Sequence, residues 1–213
     1  MIGGTKRIVS LLLTVLMLLS TVMLPSCNRR YDESEVLDAA KKLLKTAEML
    51  NFVYHGDGIE YFESEGEIGY YRKANPAHLE KLGFKTIDEL KTITEQTFSK
   101  RFTSSLYSTI LSPLSDGTAI VSPARYYQAY DEDTNEPTYI MVYSKFEPIL
   151  KSTIEYDYST LRVDGSKKEK VLLYIDVTVT DADSQSKKTT VPVTLVEEDD
   201  GWRIDNPAYA NYN

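Results

Sequence analysis

At about Ile120 the apolar pattern of this chain changes period from 3.6 residues to 2, which limits the folds open to it. The clearest strand runs from Val171 to Thr180. Val171, Leu173, Ile175, Val177 and Val179 point one way, and Tyr174, Asp176, Thr178 and Thr180 the other. Asp164-Gly165 before it and the polar run 181–188 after it are predicted loops. Next, Val191, Val193 and Leu195 alternate with Thr190, Pro192 and Thr194. Pro192 has no N–H for a ladder, so it predicts an edge position or a bulge. Earlier strands are expected at Tyr126–Tyr130, Tyr139–Phe146 and Thr153–Val163, and a last one holds Trp202 and Ile204. In Tyr139–Phe146, Tyr139, Met141 and Tyr143 alternate with Ile140, Val142 and Phe146. In Thr153–Val163, Ile154, Tyr156 and Tyr158 oppose Glu155, Asp157 and Ser159.

Before the switch the spacing is helical. Ser34 is the expected N-cap of a helix in which Val36, Leu37, Ala40, Leu43, Leu44, Ala47 and Leu50 form one face up to about Phe52. Lys41, Lys42, Lys45 and Glu48 are placed opposite that face, and Gly56-Asp57-Gly58 begins a turn. Ile59–Phe62 and Ile68–Tyr71 read as a small hairpin. Pro76 starts a short helical turn ended by Gly83. Thr86-Ile87-Asp88-Glu89 matches a capping box. A phase slip near Ser99 then predicts two consecutive helices, the second closed by Pro113.

Helices followed by a run of antiparallel strands is an α+β order. The expected architecture is a set of N-terminal helices on one face of a curved antiparallel sheet. The chain of 213 residues carries a formal net charge of −8, which argues against nucleic acid, since that partner rewards clustered Lys and Arg. Sixteen tyrosines fit strands first and adaptable binding surfaces second.

The N-terminus has its own grammar. Lys6 and Arg7 precede an uncharged apolar run from Ile8 to Leu24, and small Ser26 stands just before Cys27, the one cysteine. Leu24-Pro25-Ser26-Cys27 resembles the lipobox of bacterial lipoproteins. The resemblance implies a signal peptide over residues 1–26, cleavage before Cys27, and acyl chains including palmitate on that residue. Residues 27–33 would then be the lipidated cysteine and a short tether, and residues 34–213 a single domain. Asn28 to Asp32 span only about 15–20 Å when extended, which keeps that domain close to the lipid. Two other readings stand beside it: residues 8–24 retained as a membrane span, or an incidental thiol behind an ordinary signal. All three export the remainder, so the expected address is the extracytoplasmic face of the cell membrane.

Gly201-Trp202-Arg203-Ile204-Asp205, directly after the hairpin 171–196, resembles the final strand of cystatin-like or NTF2-like domains. That similarity implies a cone of helices set into a curved sheet. Phe84-Lys85-Thr86-Ile87-Asp88-Glu89-Leu90 with Phe98-Ser99 is similar to exported bacterial domains of the IseA type, which inhibit peptidoglycan endopeptidases. It implies an envelope protein such as a peptidoglycan hydrolase as partner.

Catalytic chemistry in such a fold would use an Asp base with a Tyr donor: Asp157 with Tyr156 and Tyr158, or Asp176 beside Tyr174. Both aspartates alternate opposite apolar residues, which reads as a solvated strand face. His55 and His78 lack ligand spacing and read as turn and helix-start residues. The clusters Glu63-Glu65-Glu67, Asp131-Glu132-Asp133 and Glu197-Glu198-Asp199-Asp200 lack a calcium-loop pattern. No cofactor, metal or catalytic residue is therefore assigned. The functional expectation is a noncatalytic binding module anchored at the cell envelope; the alternative is an enzyme or small-ligand receptor using the sheet concavity.

Overall fold

In a computed structural model, residues 31–63, 68–115, 120–167 and 169–209 are described. Cys27 and the apolar run before it lie outside these residues. Within them no helix is long and apolar enough to cross a membrane. The segment Tyr31–Asn213 forms one compact unit of mixed α+β structure.

Helix α1 spans Glu33–His55. Its N-cap is Asp32 rather than Ser34: Asp32 Oδ1 accepts from the N–H groups of Ser34 (2.8 Å) and Glu35 (3.2 Å). Either residue type can cap, but the carboxylate also places negative charge at the positive end of the helix dipole. The helix runs past Phe52 because Val53 and Tyr54 extend its buried face. It stops at Gly56, whose N–H returns to the carbonyls of Asn51 and Phe52.

The expected hairpin between Ile59–Phe62 and Ile68–Tyr71 does not form. Instead Phe62 N–H donates to Lys73 O, Asn75 N–H to Glu60 O, and Tyr61 bridges Ala74. Tyr71–Lys73 is β1, which pairs with a strand far along the chain, so tertiary pairing decides the register here. Asn75 caps α2 (Pro76–Leu82), and Gly83 closes it at φ +83°, as the sequence predicts. The capping box opens α3 (Ile87–Thr97), with both reciprocal bonds present. The phase slip is real. Phe98 leaves the helix and Ser99 Oγ accepts from Phe102 N–H to start α4 (Lys100–Ile110), three residues short of Pro113.

The strands divide among three antiparallel sheets rather than one. The smallest joins β2 (Leu114–Ser115) to β3 (Ile120–Ser122). The second has the order β1-β5-β4, with β4 at Tyr126–Tyr130 and β5 at Pro137–Tyr143. Central β5 buries Ile140, Met141 and Val142 in succession, so both its faces are covered and the expected one-sided alternation fails. Phe146 lies beyond this strand, where the chain turns back on Tyr143.

The third sheet is β6-β7-β8-β9: Thr153–Lys167, Lys170–Thr180, Ser186–Glu198 and Gly201–Ile204. β7 buries every second residue, as its sequence dictates. Asp164-Gly165 is not a loop. β6 continues through it, with Gly165 opposite Leu172, because two register shifts absorb the extra residues. The loop after β7 is also shorter than expected: Asp181 Oδ1 accepts from the N–H groups of Asp183 and Gln185, and pairing resumes at Ser186. Pro192 sits opposite Tyr174 on a stretch of β8 that β9 does not reach, an edge position. The apolar face of this sheet joins the buried face of α1, which lies against β6 and β9. Each fully buried Leu, Val or Ile there contributes about 1.5–3 kcal/mol.

The Gly201–Asp205 motif fastens the end of the chain. Arg203 is buried, its Nε donating to Glu95 O at 2.8 Å and its Nη2 to Asp200 Oδ2 at 2.6 Å. Asp205, only 5% exposed, takes Ser99 Oγ at 2.5 Å, Arg101 at 2.9 Å and Lys170 Nζ at 3.0 Å. Burial would raise the Asp205 carboxyl, but the bonds from Arg101, Ser99 and Lys170 outweigh it and hold the group below the usual carboxylate range.

A candidate binding groove between α1 and β6

The C-terminal half of α1 carries Glu48, Asn51 and Phe52 at helical spacing, so they stand on one stripe of the helix. Across from them β6 presents Ile154, Tyr156 and Tyr158, which alternation puts on the same face. A cavity of about 270 Å³ opens between these elements. Its walls include Glu48, Asn51, Phe52, Ile154, Tyr156 and Tyr209, and its rim the segments 56–57 and 150–153.

Polar bonds fix the walls. Asn51, buried on α1, donates Nδ2–H to Pro207 O at 2.8 Å, and Tyr156 donates its hydroxyl to Ala208 O at 2.5 Å. Tyr158 donates its hydroxyl to Glu48 Oε1. The rings of Tyr156 and Tyr158 stack with centroids 6.3 Å apart. Lys45 Nζ stands 5.9 Å above the Tyr158 ring, outside ion-pair distance of Glu48. Burial raises the Glu48 carboxyl above its ordinary range, against smaller opposing effects of Tyr158 and Lys45. The Tyr158 phenol is raised strongly by burial and then by Glu48, so it stays protonated and serves as a donor.

Behind the rim lies a second polar group. Arg125, 3% exposed, donates Nη2–H to Gly56 O at 2.6 Å, and Tyr126 donates its hydroxyl to Val53 O at 2.6 Å. These bonds satisfy terminal carbonyls of α1. The guanidinium lies 3.8 Å from the Phe146 ring centroid, a cation–π contact. Gly58, at φ +81°, allows this approach: a Cβ there would fall 2.2 Å from Tyr126 Oη and 2.3 Å from Arg125 Nη2. His55 Nδ1 and Arg125 Nε and Nη1 are buried without a hydrogen-bond partner among the described residues. Burial, then the charge of Arg125, push His55 down to about 4.

The residues singled out in the sequence are distributed unevenly. Tyr156 and Tyr158 face the groove, but Asp157 does not join them. Its carboxylate accepts from the N–H and Oγ of Ser159 in the exposed bulge of β6. Asp176 is held by Thr190 Oγ1 at 2.8 Å and Arg162 at 3.4 Å on the polar side of β7. The bond from Thr190 is the main cause of its lowered pKa. The carboxylate that meets the tyrosines is Glu48, which helical spacing alone assigned to the solvent side. Its position beside Ala47 and Asn51, at the border of the apolar stripe, was the available clue. His55 is no turn residue but the last residue of α1. His78 Nδ1 accepts from Glu60 N–H at 2.8 Å within α2, a structural role.

The acidic clusters are engaged locally. Asp131 Oδ1 accepts from the N–H groups of Asp133 and Thr134, closing the β4–β5 turn. Glu198 Oε1 accepts from Lys100 N–H at the start of α4. A second cleft of about 570 Å³ runs past Glu95, Tyr107, Asp199 and Asp200, but its buried cation, Arg203, is already bound to Asp200. Residues Ser64–Glu67 lie outside the described set, so Glu65 and Glu67 do too. Among the described residues, no group of three or more His, Cys, Asp or Glu is arranged to hold a metal ion.

The α1–β6 groove is thus a shallow aromatic cavity with a half-buried carboxylate, Glu48, that has no ion-pair partner among the described residues, and several fixed hydrogen-bonding groups. Chemically it can hold a small polar ligand or one side chain of a partner. No protein-family model, curated protein or solved structure matches this chain.

Proposed function

We propose that this chain is a lipoprotein of the cell envelope, anchored at Cys27 on the extracytoplasmic face of the membrane, whose domain binds rather than transforms its partner. The observation that carries the reading is the sequence Leu24-Pro25-Ser26-Cys27 at the end of an uncharged apolar run. Two or three acyl chains at about 0.8 kcal/mol per buried methylene anchor a protein firmly, where one holds marginally. The order of helices and strands supports a cystatin-like or NTF2-like domain, and α1 against the β6–β9 sheet is consistent with it. The partner class is an envelope protein such as a peptidoglycan hydrolase. Metabolic labelling with palmitate tests the anchor: the wild-type chain should be labelled and Cys27→Ala should not. An unlabelled wild-type chain with a free thiol would remove the reading.

A second reading, an enzyme or small-ligand receptor, draws support from the cavity beside Glu48 and Tyr158. A half-buried carboxylate with a raised pKa is the chemistry of a general acid or base.

A further inference from the structure

The α1–β6 cavity carries an imbalance. Glu48 lines it with a carboxylate that burial disfavours and that no Lys, Arg or His nitrogen among the described residues approaches within ion-pair distance. Oε1 is taken by Tyr158, and among the described residues no donor engages Oε2. Phe52, Tyr156 and Tyr209 also line the cavity, and aromatic rings attract a cation through their quadrupoles. Phe52 is 38% exposed, with the His78 ring edge-on to it at 6.5 Å between centroids, so a large apolar ring of the cavity wall reaches solvent. Lys151 also lines the cavity, but its side chain is solvent-exposed.

From these contacts the geometry points to a primary ammonium group as the ligand, seated between Glu48 Oε2 and the rings of Tyr156 and Tyr209. A cavity of about 270 Å³ has room for a lysine-sized chain. The partner class is therefore an amine-bearing small molecule or peptide side chain. Asn51 and Tyr156 are held by Pro207 O and Ala208 O, so the site is organised before any ligand enters. The inference rests on reading the domain as a binding module, but not on its anchoring.

The test uses the full-length chain, 15N-labelled, in detergent micelles. It is titrated with Nα-acetyl-lysine methylamide and, separately, with the same compound acetylated at Nε, which keeps the length but removes the charge. The amine should shift the backbone amides of Asn51, Ile154 and Tyr156, with an affinity at least about tenfold above that of the acetylated probe. Glu48→Gln, whose amide oxygen still accepts from Tyr158, should abolish that preference. Tyr209→Leu, which leaves the Glu48–Tyr158 bond intact, should weaken amine binding by about threefold or more. Equal response to both probes, shifts indifferent to Glu48→Gln, or no shifts at all would overturn the assignment. If the amine fails while palmitate labels the chain, the ligand class falls and the anchored module stands. If the amine binds and palmitate does not label, the reverse holds.

Discussion

Arg125 donates Nη2–H to the carbonyl oxygen of Gly56 at 2.6 Å, which sets a buried cation at the negative end of α1. A positive charge there is favourable to the helix dipole. It also makes the last helical residue, His55, a poor place for a second one.

His55 is expected to remain neutral down to about pH 4. Its folded pKa lies below the ordinary value near 6.5, so the unfolded chain binds more protons between these limits. Stability is therefore lost as pH falls from about 6.5 towards 4, by up to about 3 kcal/mol. Urea unfolding of the wild type and of His55→Gln across this range should show the loss in the first and a flatter profile in the second. NMR titration of the imidazole gives the pKa directly; a value near 6.5 would contradict the argument.

Gly58→Ala should destabilise the fold by at least about 2 kcal/mol. The left-handed backbone at φ +81° disfavours a side chain, and the added methyl would displace Tyr126 Oη and Arg125 Nη2 together. Gly83→Ala, with a similar φ of +83° but nothing near its Cβ, should cost about 1 kcal/mol. Denaturant midpoints of the two variants separate strain from collision.

Asp205→Asn should cost about 1–3 kcal/mol at neutral pH, because it weakens bonds from Ser99, Arg101 and Lys170 to a buried carboxylate. The folded pKa of Asp205 is depressed, so its contribution is present above the unfolded value near 3.9 and lost as pH falls through the lower folded value. Its acid limb lies below that of His55. Unfolding curves taken from pH 4 downward should be less steep in Asp205→Asn than in the wild type.

Glu48→Gln should leave thermal stability unchanged or raise it. A carboxylate whose folded pKa is raised favours folding at low pH, and that benefit fades as pH rises through the folded value. Removing the charge while keeping an acceptor for Tyr158 should shift the midpoint at pH 7 by about 0 to +3 °C. A drop of several degrees would mean that the charged form is needed by the fold.

The elements were legible where one periodicity governed them. β7, the capping box at Thr86 and the helix break at Ser99 follow from local spacing and local hydrogen bonds. Register and sheet membership were not, because they depend on partners distant in sequence. Tyr71 pairs with Tyr143, and no neighbour of Tyr71 announces it. Gly165 looks like a turn residue until Leu172 is set opposite it. The groove was half legible. Alternation put Tyr156 and Tyr158 on one face, but their carboxylate comes from α1, 110 positions before Tyr158.

The join between α3 and α4 has a kinetic corollary. Ser99 N–H donates to Ile204 O at 2.9 Å, and Phe98 makes a parallel bridge to the same residue. Two helices formed early in synthesis thus await the final strand before their junction can settle, and closing so long a loop is slow. A nascent chain halted before Gly201 would leave the Ser99 N–H, in a residue 2% exposed in the finished domain, without its acceptor. The helical layer is thus locked only when the last strand arrives, and a chain shortened at that strand would be a substrate for chaperones rather than a smaller version of the same fold.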